Sequence, residues 1–238
     1  MESSIDTTLI DHLKNPALYD HPVQGFQVIE THISWILLTG SYAYKIKKPV
    51  NLGFLDFSTL EKRHHYCNEE LRLNQRLAPE VYLAVIPITG NTSQPALRGE
   101  GPIIEYAVKM REFPQNAQLD RALSAGEVHE EHIAQLAQSV AQFHNNAAVA
   151  GNDSSFGDIE AVWQPVSQNF EQILPHVENT EDLELLDKLR AWSKQTYNHL
   201  SNEWNERKHT GFIRECHGDM HLGNMALIDG RIMIFDCL

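Results

Sequence analysis

The sequence lacks long hydrophobic runs and a surplus of basic residues, and each absence excludes a class of protein. Among its 238 residues, 19 lysines and arginines stand against 32 aspartates and glutamates, a formal net charge of −13. That balance excludes a nonspecific surface for nucleic acid or for anionic membranes. The longest apolar stretches, such as residues 36–38, are far too short to cross a bilayer. The sequence therefore predicts neither a nucleic-acid nor a membrane partner.

Cysteine is also scarce, and its placement predicts a reducing compartment. Cys67, Cys216 and Cys237 are odd in number and widely spaced, so no disulfide framework is expected. The first residues show no basic segment followed by an apolar run, and we therefore expect no signal peptide. With 42% hydrophobic and 21% charged residues, the composition is that of a globular protein. We expect a soluble, acidic, cytoplasmic protein.

The first third of the sequence reads as an antiparallel sheet with one helix. β-branched and aromatic residues alternate in part before and after the turn Gly40-Ser41, which predicts a hairpin. Ser58 and Glu61 have the spacing of a capping box, so a helix is expected from there to about Leu77. The segment 90–101 is rich in glycine, asparagine and serine and reads as a loop. The predicted strands are residues 26–38, 42–47, 81–88 and 103–110.

After residue 116 the pattern is helical for about a hundred residues. A second capping box is expected at Ser124–Glu127, ahead of an amphipathic helix with an inward apolar face. A further helix should begin near Thr180 and run towards Trp204, and residues 232–235 read as a short strand. The fold class is therefore α+β, with a strand-rich region followed by a helix-rich one. The apolar face of the amphipathic helix consists of Ile133, Leu136, Ala137, Val140 and Phe143.

The densest group of reactive side chains lies near the end of the sequence, in HGDMHLGN (residues 217–224) and IFD (residues 234–236). Phosphoryl transfer from a nucleotide needs a carboxylate to orient the attacking hydroxyl, oxygen ligands for Mg²⁺ and a cation for the phosphates. Asp219 and Asn224 are five residues apart, like the Asp and Asn of the kinase catalytic loop. Asp236 follows a short apolar strand and supplies a second hard oxygen ligand of the kind that suits Mg²⁺.

These two strings resemble the HGDxHxxN…D pattern of the aminoglycoside-phosphotransferase-like kinases. Residues 31–63 and 68–83 resemble the N-terminal region of bacterial bifunctional aminoglycoside phosphotransferase/ATP-binding proteins, in which a P-loop domain follows. The resemblance implies a two-lobed, protein-kinase-like fold. Residues 1–113 would form a nucleotide-binding N-lobe of antiparallel sheet plus one helix. Residues 114–238 would form a mainly helical C-lobe with the catalytic loop and metal site, incomplete at its C-terminus.

The resemblance also implies roles for residues of the C-terminal segment. Asp219 would be the catalytic base, with His217 holding the catalytic loop by hydrogen bonding. Asn224 and Asp236 would be the Mg²⁺ ligands. His217 and His221 are four apart, a spacing that would suit zinc on a helix, but the glycines around them argue against a helix there.

In the N-terminal part, the resemblance implies a nucleotide site. Lys45, in Tyr42-Ala-Tyr-Lys45, occupies the place of the lysine in the kinase V-A-I-K motif and would bind the α- and β-phosphates. Glu70 would pair with Lys45, and its neighbour Glu69 is the weaker alternative. Arg111 and Phe113 would belong to the hinge whose backbone binds adenine. The sequence has no G-x-G-x-x-G between its first two strands, so residues 30–34 would have to cover the phosphates.

The function that the resemblance implies is an ATP- and Mg²⁺-dependent phosphotransferase acting on the hydroxyl of a small molecule. The alternative, from a different class, is a non-catalytic nucleotide-binding or regulatory module that works with a P-loop ATP-binding domain. Loss of ATP turnover in Asp219→Asn discriminates the two, because a module would bind nucleotide without turnover. The expected cofactors are ATP and Mg²⁺.

Overall fold

The computed structural model describes residues 5–53 and 55–237, with no account of the side chains of Ile5 and Asp6, and its elements make an α+β fold, as predicted. The helices are α1 (Ile5–Leu13), α2 (Leu60–Asn74), α3 (Leu119–Ser124), α4 (Glu130–Asn146), α5 (Ile159–Ile173), α6 (Thr180–His199) and α7 (Ser201–His209). The strands are β1 (Gln27–Glu30), β2 (Ser34–Leu38), β3 (Tyr42–Lys47), β4 (Tyr82–Asn91), β5 (Gln94–Leu97), β6 (Ile103–Arg111), β7 (Met225–Ile228) and β8 (Arg231–Ile234).

Six of the strands form one antiparallel sheet in the order β1-β2-β3-β6-β4-β5, and β7 and β8 form a separate hairpin. Neighbours in sequence pair with each other, except that β6 lies between β3 and β4. β3 is therefore an interior strand, and its Lys45 lies opposite Ile36 on β2 and Val108 on β6. A side chain at this position is enclosed by neighbours on both sides.

Both faces of the sheet are covered, which explains why its central strands do not alternate cleanly between apolar and polar residues. On one face, Leu9, Ile10 and Leu13 of α1 pack with Trp35 and Leu37 of β2. The other face packs against α2 and the β7–β8 hairpin. Strands buried on two sides carry apolar residues at nearly every position. α1 itself was not predicted.

Two strand predictions needed correction, and local turns give the reason. The segment 26–38 is two strands, because the Thr31 hydroxyl accepts a hydrogen bond from Ser34 N–H (3.0 Å) and turns the chain. The segment 90–101, read as a loop, contains β5. Asn91 Oδ1 accepts from the N–H groups of Ser93 and Gln94 (3.0 and 2.9 Å), which closes a tight hairpin turn of the Asx kind.

Helix α2 begins one residue later than predicted and ends earlier. Its N-cap is Thr59, whose side chain accepts from Lys62 N–H (3.3 Å). The hydroxyl of Ser58 instead donates to Asp56 Oδ1 (2.6 Å). The last helical residue is Asn74, and the Leu77 N–H still donates to its carbonyl in a following turn (3.2 Å).

The second predicted capping box is wrong. Ser124 ends α3, and its hydroxyl donates to the Asp120 carbonyl (2.8 Å) rather than capping a new helix. Gly126 follows with a φ of +75°, a conformation that ends a helix, and α4 begins at Glu130. The inward face of α4 is narrower than predicted, because Phe143 is buried while Ile133 is 49% exposed.

The contacts divide the chain into two compact units. One unit, here the sheet unit, contains residues 1–143 and 217–238, and the other, the helical unit, contains residues 144–216. Residues 114–143 therefore group with the sheet. The lobe boundary at residue 113 stays a prediction.

The first and last residues of the helical unit's segment lie side by side. Ala150 N–H donates to the Ile213 carbonyl, and Glu215 N–H donates to the Ala148 carbonyl (both 2.9 Å). The helix predicted from Thr180 towards Trp204 is two helices, α6 and α7, which meet at Leu200. None of the helices in the described ranges has the length and apolarity to cross a membrane.

Candidate functional site

The sheet unit contains a cavity of about 380 Å³, a size that suits a small ligand. Its apolar lining comes from β1, β2, β3 and β6 together with Phe113 and Phe235, whose ring centroids lie 5.4 Å apart. Its polar lining includes Lys45, Asn224 and Asp236. Residues predicted from three separate segments of the sequence therefore line one cavity.

Beside the cavity lies a buried cluster of charges centred on Glu70. Lys45 Nζ lies 2.9 Å from Glu70 Oε1 and 2.6 Å from Asp236 Oδ1. Lys47 Nζ donates to the other carboxylate oxygen of Glu70 (2.5 Å). The structure thus brings together the predicted Lys45–Glu70 pair. Glu69, the alternative, is half-buried and pairs with Arg72 (2.8 Å).

The cluster is charged at neutral pH, because mutual attraction outweighs the cost of burial. Burial alone would raise the pKa of Glu70, but the ammonium groups of Lys45 and Lys47 lower it to about 2. Burial likewise opposes the charge of Lys45, yet Glu70 and then Asp236 raise its pKa well above the ordinary value. Two lysines and two carboxylates balance, so the cluster carries no net charge, with the half-exposed Asp236 at its edge.

Lys47 is a contributor that the sequence did not single out. It lies two residues after Lys45 on β3, and alternation places both on the same face of the sheet. Its ammonium sits 4.7 Å from the Phe57 ring centroid and does not line the cavity, whereas Lys45 does. Of these two lysines, Lys45 is directed to the cavity, and Lys47 binds the Glu70 oxygen that does not face Lys45.

Asp219 and Asn224 are joined directly. Asn224 Nδ2 donates to both the carbonyl and the carboxylate Oδ2 of Asp219 (3.0 and 3.1 Å), and His221 Nε2 lies 3.5 Å from the same oxygen. The Asp219 side chain is 45% exposed, so its carboxylate is accessible from solvent. The side-chain amide protons of Asn224 face Asp219, so the Oδ1 atom of Asn224 is directed away from Asp219 and can contact another partner.

His217 is buried and holds the loop in place. Its Nε2–H donates to the Phe235 carbonyl (3.0 Å), and its Nδ1 accepts from Asp219 N–H (3.3 Å). Burial lowers the pKa of the imidazole, which favours the neutral ring that this pattern requires. Both nitrogens are used, so neither is available as a zinc ligand. Among the described residues, no three His, Cys, Asp or Glu side chains group as a metal site.

Arg111 and Phe113 lie where the sheet ends at the cavity. Arg111 is the last residue of β6, lines the cavity, and pairs through its guanidinium with Asp229 (3.1 Å). Across residues 5–53 and 55–237, no hydrogen bond uses the Phe113 N–H or the Glu112 carbonyl. Glu112 lies within the predicted hinge, but the contacts of its side chain were not predicted: its carboxylate accepts from the N–H groups of Thr39 and Gly40 (2.9 and 2.7 Å).

The donor set fits a hard divalent cation. Asp236 gives one carboxylate oxygen to Lys45, and its side chain is 43% exposed, so the second oxygen is accessible. Asn224 offers an amide oxygen, and Mg²⁺ typically takes one or two protein oxygens plus phosphate oxygens and waters. Asp236 and Asn224 would hold such an ion. The sequence did not reveal Asn74 or Tyr82, which contact the backbone around Asp236.

The chain matches no model of a known protein family. It is 28% identical over 221 residues to uncharacterized proteins of Mycobacterium bovis (strain ATCC BAA-935 / AF2122/97) and of Mycobacterium tuberculosis (strains CDC 1551 / Oshkosh and ATCC 25618 / H37Rv). The similarity covers 92% of this chain and 43% of each relative. The chain thus spans less than half the length of these relatives, and their names carry no activity to compare.

Proposed function

We propose that this chain is an ATP- and Mg²⁺-dependent phosphotransferase of the aminoglycoside-phosphotransferase-like type, with a two-lobed, kinase-like fold, acting on the hydroxyl of a small molecule. The observation that carries the proposal is the Lys45–Glu70 ion pair, whose lysine also contacts Asp236 and lines a cavity with apolar walls. A lysine paired with a helix glutamate is the device by which kinases fix a nucleotide's phosphates. The apolar walls suit a purine base.

The proposed roles follow from the contacts. Lys45 binds the phosphates and offsets the charge that develops on them during transfer. Asp219 accepts the proton of the acceptor hydroxyl, and its bond from Asn224 fixes the carboxylate for that task. Asn224 and Asp236 hold Mg²⁺, which when bound neutralises phosphate charge. The Phe113 N–H and the Glu112 carbonyl offer hydrogen bonds to the base.

The first test is a thermal melt with and without MgATP. A ligand at a hundred times its Kd stabilises the folded state by about 2.7 kcal/mol, which is a clear shift in melting temperature. We expect a Mg²⁺-dependent shift in the wild type that is lost in Lys45→Met. Lys109→Met is the matched control: both side chains are 12% exposed on neighbouring central strands, but Lys109 pairs with the exposed Asp20.

The second test is ATP consumption in the presence of candidate hydroxyl acceptors, with Asp219→Asn as the variant. Turnover that disappears in Asp219→Asn supports the transferase. Nucleotide binding without turnover in the wild type would instead favour the non-catalytic module. A cooperative melt that MgATP does not move would refute a nucleotide site in this cavity.

The partners belong to the same proposal. A small molecule with a free hydroxyl is the acceptor, and a P-loop ATP-binding domain is a candidate partner. The greater length of the relatives leaves room for a domain of that kind, since this chain covers 43% of them. Co-purification of the chain with a separately expressed P-loop segment of a longer homologue would test the second partner.

A further inference from the structure

The backbone at Asp236 is in a conformation that residues other than glycine adopt uncommonly. Its φ is +59°, in the left-handed region, where a side chain approaches the following carbonyl oxygen. This costs most side chains about 1–2 kcal/mol; aspartate tolerates the region better, and surrounding contacts hold it there. Such strain concentrates at functional sites, and Asp236 lines the cavity and contacts Lys45. The contacts that enforce it identify the residues that aim this carboxylate.

The first enforcing contact comes from β4. The Asp236 N–H donates to the hydroxyl oxygen of Tyr82 (3.2 Å), the first residue of that strand. Tyr82 is 2% exposed, so its ring is fixed by packing within the sheet unit. Burial raises the pKa of the phenol, so the hydroxyl stays protonated and accepts this bond through its oxygen.

The second contact comes from the end of α2. The Cys237 N–H donates to Asn74 Oδ1 (2.8 Å), and Asn74 Nδ2 donates to the carbonyl of Glu70, one turn earlier (2.9 Å). Asn74 is 1% exposed. One helix therefore carries both the glutamate that holds Lys45 and the amide that holds the residue after Asp236.

We propose that Tyr82 and Asn74 are positioning residues that keep Asp236 in the left-handed conformation, with its carboxylate at Lys45 and available to Mg²⁺. This role rests on the proposed function. Tyr82 holds the amide of Asp236 itself, and Asn74 holds the next amide. Through Asn74, α2 links the position of the metal ligand to that of the phosphate-binding lysine. A shift of α2 would move both.

The test compares Tyr82→Phe with Tyr44→Phe. Each substitution removes one hydroxyl from a buried tyrosine of the same sheet, and the Tyr44 hydroxyl pairs with His21 Nε2 (3.1 Å) on the other face. The melting temperature with saturating ADP is measured against Mg²⁺ concentration. Outer-shell partners of metal ligands typically contribute about 10–100-fold to metal affinity. We expect Tyr82→Phe to raise the Mg²⁺ concentration for half the shift about tenfold, and Tyr44→Phe to leave it within about twofold.

A second readout needs no metal. Amide hydrogen exchange at Asp236 and Cys237 should accelerate at least about tenfold in Tyr82→Phe and in Asn74→Leu, and stay unchanged in Tyr44→Phe. Exchange that does not change, or an unaltered Mg²⁺ requirement in Tyr82→Phe, overturns the positioning role while leaving the nucleotide site intact. A wild type with no Mg²⁺-dependent shift overturns the proposed function, and the role of Tyr82 and Asn74 towards Mg²⁺ with it.

Discussion

The sheet unit buries a cluster of opposite charges, whereas the helical unit buries few of its residues and leaves three large apolar side chains of one helix exposed. In the sheet unit, Glu70 and Lys47 are 7% exposed at the side chain. In the helical unit, Leu185, Leu189 and Trp192 of α6 are 54%, 48% and 64% exposed. Charge therefore lies inside where ion pairing compensates it, and apolar surface stays outside where no neighbouring element covers it.

The two units also differ in what stabilises them. Strands from distant parts of the sequence close the sheet unit, so its burial depends on non-local pairing. The helical unit relies more on local devices, such as the cap at Asn179, whose side chain accepts from Asp182 N–H (2.8 Å). Among its described residues, Ala147 and Lys208 are the buried ones. Substitutions should therefore be costly in the first unit and mild in the second.

The largest loss in the free energy of unfolding is expected for Glu70→Gln. Removing one partner of a buried ion pair typically costs about 3–5 kcal/mol, because it leaves uncompensated charge inside the protein. Glu69→Gln, one residue earlier on α2, removes a half-buried carboxylate that pairs with the exposed Arg72, and should change the free energy of unfolding by less than about 0.5 kcal/mol. Urea unfolding at pH 7 measures both. Equal effects would mean that the charge cluster is solvated.

The same pair predicts a pH dependence. The pKa of Glu70 falls from 4.5 to about 2 on folding, so its ionised form stabilises the protein above the unfolded-state value. That contribution is lost as the pH falls from about 4.5 towards 2. The advantage of wild type over Glu70→Gln should therefore shrink in urea unfolding at pH 3. An advantage that stays constant across this window would contradict the assigned charge state.

The second effect contrasts two leucines. Leu37→Ala, in β2 at 1% exposure, should lower the free energy of unfolding by about 3 kcal/mol because it opens a cavity in the core. Leu189→Ala, at 48% exposure on α6, should change it by less than about 0.5 kcal/mol. Denaturant unfolding followed by circular dichroism measures both values. A loss at Leu189 as large as that at Leu37 would show that the exposed face of α6 is covered in solution.

The smallest effect concerns the buried lysine of the helical unit. Lys208 donates to the Ser154 carbonyl and to Asp158, whose side chain is 46% exposed. Because Asp158 remains hydrated, Lys208→Met should cost only about 1.5 kcal/mol, the lower end for hydrogen bonds to charged groups. Lys194→Met, which removes an exposed ammonium 4.5 Å from the Trp163 ring, is the control and should cost about 0.5 kcal/mol. If Lys208→Met lowers the free energy of unfolding as much as Glu70→Gln does, the two units do not differ in how strongly their buried charges stabilise them.

Much of the fold was predictable because its signals are local. The strand around Lys45 and the start of α6 follow from alternation, capping residues and turn residues, and the structure has them near the predicted positions. The wrong predictions lie where a short polar side chain can form either of two local hydrogen bonds. Ser124 was read as a cap but bonds back to Asp120, and the turn at Thr31 divides a segment read as one strand.

The candidate site was predictable only in part. Asp219 and Asn224 share one short segment, so their spacing alone indicated that they would meet. Glu112, Tyr82 and Asn74 belong to no motif, and their contacts depend on how the sheet, α2 and the last strand pack. Sequence spacing carries no information about such long-range contacts.

The sequence by itself determined the types of most elements, the acidic surface and the candidate chemistry of residues 217–236, because those depend on composition and on neighbours along the chain. The sequence already favoured Glu70 over Glu69 as the partner of Lys45. Tertiary structure alone decided that Lys47 shares this carboxylate and that Asp236 takes a left-handed backbone. The physical reason is burial. Ion pairs and backbone strain contribute strongly to the free energy of folding only where packing excludes water. Packing, in turn, brings together residues that lie far apart in the sequence.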